Sequence, residues 1–71
     1  MTEDKVRQLV IEETRKAFPE LENNMPSYFE GIVQQATNTI VNDYAIDTLG
    51  SEEHVSSLIA IDLASFKEAL N

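Results

Sequence analysis

The stretch DTLGSEEH, residues 47–54, decides how the chain divides. Apolar residues recur at helical spacing on both sides of it, so it is either a site or a joint between two helices. Gly50 supplies the left-handed residue that ends many helices. Ser51 then offers a side-chain oxygen to the free N–H groups of a following helix, and Glu52 and Glu53 fall in its first turn, where the helix dipole favours negative charge. Capping alone accounts for these four residues, and no substrate is needed to explain them. Asp47 fits less well, because a carboxylate in the last turn of a helix meets the negative end of the dipole.

Upstream of the joint, the spacing predicts a helix over 27–49. Phe29, Ile32, Val33, Ala36, Ile40 and Tyr44 make its apolar stripe, while Val41, Ala45 and Leu49 drift to another side. Two start signals compete: Pro26 suits a first helical position, and Ser27 with Glu30 reads as a capping box. Downstream, a helix over 52–70 carries a seam of Val55, Ile59, Leu63, Phe66 and Leu70. Leu58, Ile61 and Ala69 extend its apolar surface. Asp62 lies within that surface, and its conceivable partners are the cations of the first helix, Lys67, His54 or a group from another chain.

The first helix is expected over 3–18. Val6, Leu9, Val10, Thr14, Ala17, Phe18 and Leu21 share one side of it, with Asp4, Gln8, Glu12 and Arg15 opposite. Thr2 can cap it, and Pro19 pushes Phe18 out of helical geometry and ends it. PELENNMP, residues 19–26, is then a short connection with room for one further turn near Leu21.

The expected fold is all-α, a three-helix bundle forming one domain over 1–71. A chain of 71 residues buries only about 60% of the surface its unfolded form exposes. It has no cysteine, so no disulfide can compensate. Homo-oligomerisation is the expected completion of the core. The face for it is charge-free: between Glu30 and Asp43 there is no ionisable side chain, and Gln34, Asn38, Val41, Asn42 and Ala45 form a side of mixed amides and small apolar residues. Amides in such a contact fix register, as a buried Asn does in a coiled coil.

The net charge is −8, and up to Phe18 the acids and bases balance; from Pro19 onward nine carboxylates face Lys67 alone. Such a surface excludes direct binding to a nucleic-acid backbone, which requires cations that displace counterions. It suits a partner protein with a basic surface. The longest uncharged run, residues 31–42, is short and rich in Gln, Asn and Thr, so no membrane span is expected. The charged N-terminal stretch does not read as a secretory signal, and a cytoplasmic location is expected.

Chemistry is sparse. Asp43 and Asp47, spaced i, i+4, could hold a divalent cation with His54. Starting an EF-hand loop at Asp43, however, puts Thr48 where its glycine belongs. His54 beside Glu52 and Glu53 reads as a solvated residue, and no nucleophile, phosphate loop or catalytic pair has a recognisable frame. No enzyme activity, cofactor or metal is expected. The size, acidity and the stretch EDKVRQLVIEE, residues 3–13, resemble acyl carrier proteins. Those carriers present their modified serine within Asp-Ser-Leu at the start of a second helix, and no such tripeptide occurs here. The resemblance therefore carries no function over.

The expected function is that of a non-enzymatic interaction module, of adaptor or of inhibitor or antitoxin type, that self-associates and masks a basic protein surface. Asp43, Asp47, Glu52 and Glu53 form the expected contact, with Leu58 and Ile61 as apolar anchors. Two other readings fit the composition: a nucleic-acid mimic that blocks a DNA- or RNA-binding protein, and a helical structural component of a larger assembly such as a phage particle.

Overall fold

Two of the long helices begin where a side-chain oxygen accepts a free N–H, and the start of the third is set by a proline. The computed structural model describes residues 2–43 and 51–70. Helix α1 spans Glu3–Ala17. Thr2 is extended, with φ −98° and ψ 161°, and its hydroxyl oxygen accepts the N–H of Lys5 at 3.2 Å. Glu3 and Asp4 occupy the first turn and Arg15 and Lys16 the last, each complementing the dipole. Ahead of Pro19, Phe18 leaves helical geometry at φ −133° and ψ 74°, and its N–H still closes the final turn on the Thr14 carbonyl at 2.8 Å.

Removing the Thr2 cap tests this account of the first helix. Thr2→Ala is expected to lower stability by about 1 kcal/mol. For a domain of this size that corresponds to a fall in Tm of roughly 4–8 °C, readable by circular dichroism. An unchanged Tm would mean that packing, and not the cap, fixes the start of α1.

The connection holds a one-turn helix, α2, Leu21–Asn24. It closes through the Met25 N–H on the Leu21 carbonyl at 2.8 Å. The described residues thus form three long helices and this extra turn. Helix α3 spans Pro26–Asp43 in the described residues. Of its two competing start signals, the structure uses the proline: Pro26 is the first helical residue, and the Phe29 N–H donates to the Met25 carbonyl at 3.0 Å. A proline loses nothing there, since its missing N–H would have had no intrahelical partner. Ser27 lies inside the helix, and the Glu30 carboxylate turns to Arg7 of α1. The expected continuation to Leu49 and the Gly50 cap lie outside the described residues, as do Tyr44, Ala45 and Asp47.

Helix α4 spans Glu52–Leu70. The Ser51 hydroxyl oxygen accepts the His54 N–H at 3.3 Å, and the Val55 N–H donates to the Ser51 carbonyl at 3.2 Å. Ser51 is therefore the N-cap, with Glu52 and Glu53 in the first turn.

The three long helices meet in one apolar cluster. Val6, Leu9 and Val10 come from α1, Phe29, Ile32, Val33, Ala36 and Ile40 from α3, and Val55, Ile59 and Leu63 from α4. Full burial of each larger side chain stabilises the fold by about 1.5–3 kcal/mol. Helix α1 packs along both α3 and α4, and among the described residues α3 and α4 meet each other over a shorter stretch. Two threonines join the core. Thr14 satisfies its hydroxyl on the Val10 carbonyl at 2.6 Å, whereas the Thr37 hydroxyl has no partner among the described residues. No helix among the described residues is long and apolar enough to cross a membrane.

Candidate interaction surface

Helix 1 supplies four of the chain's five basic side chains, and all four are engaged by carboxylates of the same chain. Lys5 meets Glu52 at 2.7 Å, tying the start of α1 to the start of α4. Arg7 pairs with Glu30. The Arg15 Nε and Nη2 atoms grip the two oxygens of Glu22 at 2.9 and 3.0 Å, and Lys16 reaches Glu13 at 3.2 Å. The hydrogen bond and charge of Glu52 raise the Lys5 pKa, and those of Glu22 raise that of Arg15. The hydrogen bond from Arg15 holds Glu22 below the ordinary carboxylate value, against a weaker upward push from desolvation.

The residues expected to meet a partner fall into distinct settings. Asp43, Glu52 and Glu53 are exposed, and Glu52 is the one already shared with Lys5. Asp47 lies outside the described residues. Leu58 is half-buried against the core, while Ile61 stands 71% exposed, a large apolar side chain left in water. Among the residues expected to mediate self-association, Gln34, Asn38 and Asn42 are exposed, Val41 packs at the margin of the core, and Ala45 is outside the described residues. Gln34 is also committed within the chain: its carbonyl oxygen accepts from Arg7 and its amide donates to Asn38, both at 3.0 Å. That network joins α1 to α3 across 27 positions of sequence, so periodicity could not reveal it.

Asp62 is differently placed. Among the described residues its Oδ2 atom is buried without a hydrogen-bond partner. None of its conceivable partners within the described chain forms an ion pair with it, since the cations of α1 are held elsewhere. Burial pushes the Asp62 pKa up, and the like charge of Asp43 adds to the shift. The helical repeat puts Leu58 one turn before Asp62 and Phe66 one turn after it, on the same side of α4. Phe66 in turn lines an open depression of about 290 Å³ together with Ser27, Tyr28, Gly31, Ile32 and Gln35 of α3.

Among the described residues no three His, Asp or Glu side chains converge in a group that could hold a metal ion. Among the described residues, Asp62 is thus a carboxylate without an ion pair, flanked along α4 by Leu58 and Phe66, while Asp43, Glu52 and Glu53 are exposed. Comparison of the chain with protein-family models, with curated proteins and with solved structures finds no match.

Proposed function

We propose that this chain is a non-enzymatic interaction module that masks a basic surface of a partner protein, acting as an adaptor or as an inhibitor of antitoxin type. The observation that carries this reading is the imbalance left after internal pairing. Four of the five basic side chains are already held by carboxylates, while among the described residues Asp43 and Glu53 are exposed without an ion pair and Asp62 has none. Such a field steers a basic partner and repels an acidic one. Exposed Ile61 and half-buried Leu58 supply the apolar contact that charge alone does not.

In this reading the module works in the cytoplasm and requires no cofactor. It also self-associates through the charge-free side of α3, with Gln34, Asn38, Val41, Asn42 and Ala45 in the contact.

The test is affinity capture with the wild-type chain and with a D43N/E52Q/E53Q triple variant, followed by calorimetry on the purified captured protein. A basic protein should bind the wild type with an affinity that falls as salt rises, and bind the variant at least about tenfold more weakly. Captured proteins that bind wild type and variant equally would remove the acidic end from the account.

A further inference from the structure

Asp62 has an environment that the described chain does not complete. A carboxylate oxygen buried without a donor costs free energy until a cation or donor reaches it. Among the described residues, a second carboxylate, Asp43, acts on it and makes the deficit larger. The surface around it is otherwise apolar or uncharged. Leu58 and Phe66 lie half-buried one turn to either side, and Ile61 is 71% exposed beside it. Across the groove, α3 contributes Tyr28, 40% exposed, and the amide of Gln35, while a Cβ added at Gly31 would meet only open space. On α3 the depression runs from Ser27 to Gln35, about 12 Å of helix, and Phe66 joins it to the turn of α4 that carries Asp62.

We propose that this α3–α4 face is the docking surface for an amphipathic helix of a partner protein, which seats a lysine or arginine against Asp62 and lays apolar side chains on Leu58, Ile61 and Phe66. The inference rests on the reading of a basic partner and moves the centre of its contact from the acidic end to the groove. Charge complementarity selects the occupant. A second copy of this chain also carries a net charge of −8, and four of its five basic side chains are engaged. A basic helix brings the missing cation, and its apolar face covers Ile61. The ion pair so formed lies under apolar side chains and is sheltered from water, where charged pairs control dissociation; the exposed carboxylates at the end of the bundle govern approach.

The probe is a synthetic amphipathic peptide of leucine and lysine, roughly 18 residues long. It is titrated into the full chain by calorimetry and by amide NMR. Asp62→Asn removes the charge and keeps the shape, Ile61→Ser removes the apolar anchor, and Glu20→Gln removes one exposed charge at the α1–α2 turn as the control. Asp62→Asn is expected to weaken binding at least about tenfold and Ile61→Ser severalfold, whereas Glu20→Gln stays within about twofold. Amide shifts should concentrate in α3 and in α4 from Val55 to Phe66. The thermal stability of Asp62→Asn should equal or exceed that of the wild type, which separates lost binding from lost folding.

Equal effects of Asp62→Asn and Glu20→Gln would overturn the proposal, because binding would then follow total charge. Shifts confined to Glu52, Glu53 and their neighbours would overturn the groove and leave the reading of a basic partner standing. No binding even at low salt would remove both.

Discussion

Phe29→Ala is expected to remove about 3–5 kcal/mol of folding stability, the usual consequence of excising a buried aromatic side chain. Phe29 opens the buried stripe of α3 at 4% exposure and belongs to the same cluster as Val10 of α1 and Leu63 of α4. The loss is severe because the total is small. At roughly 0.05–0.15 kcal/mol per residue, 71 residues hold about 4–11 kcal/mol. No disulfide restrains the unfolded chain, so nothing offsets the cavity. Urea denaturation followed by circular dichroism should show Phe29→Ala largely unfolded or close to it, and Phe29→Leu much nearer the wild type. A Phe29→Ala variant within about 1 kcal/mol of the wild type would mean that the core does not close over this side chain.

Asp62→Leu is expected to act in the opposite direction and raise stability by about 1–2 kcal/mol at neutral pH, since it deletes an unsatisfied buried oxygen and adds apolar surface. The gain should depend on pH with a definite sign. The folded chain holds the Asp62 proton more tightly than the unfolded chain does, because the Asp62 pKa is raised above its ordinary value of 3.8. The ionised form therefore penalises folding fully above the folded-state pKa, and the penalty disappears below 3.8. The advantage of Asp62→Leu should be largest near neutrality and shrink on acidification through that window. Glu22 runs the other way. Held below 4.5 by Arg15, it contributes stability above that value, and the contribution is lost as pH falls through its folded-state pKa. Subtracting wild-type from variant stability at each pH removes the Glu22 contribution, which both proteins share. A destabilised Asp62→Leu would show that the carboxylate has a structural partner.

Helix punctuation was legible because it is local. Thr2 and Ser51 cap α1 and α4 through side-chain oxygens three positions from their donors, and Pro19 ends α1 by excluding Phe18 from helical geometry. Short-range sterics also fix the start of α3, yet there the sequence offered two answers. Pro26 begins the helix, and the Glu30 carboxylate that the box would have used pairs with Arg7 of another helix. Thr37 shows the limit of reading apolar residues alone: it is 3% exposed, placed in the core by its position on α3 and not by its chemistry. The pairing of Arg7 with Glu30 and Gln34, and of Lys5 with Glu52, depends on how the helices cross, which periodicity does not encode. Asp62 was visible as a carboxylate on an apolar surface. That its neighbour is Asp43 and that the cations of α1 are engaged elsewhere emerges only when the helices are assembled.

The most direct test of the central claim is an NMR pH titration of the Asp62 carboxyl carbon, run on the full chain alone and with the leucine–lysine peptide bound. In the free chain the midpoint should lie above 3.8. Binding should move it downward, because a lysine seated against Asp62 stabilises the ionised form. A midpoint that is ordinary in the free chain, or one that does not move when the peptide binds, would contradict the assignment of Asp62 as the carboxylate that a basic partner completes.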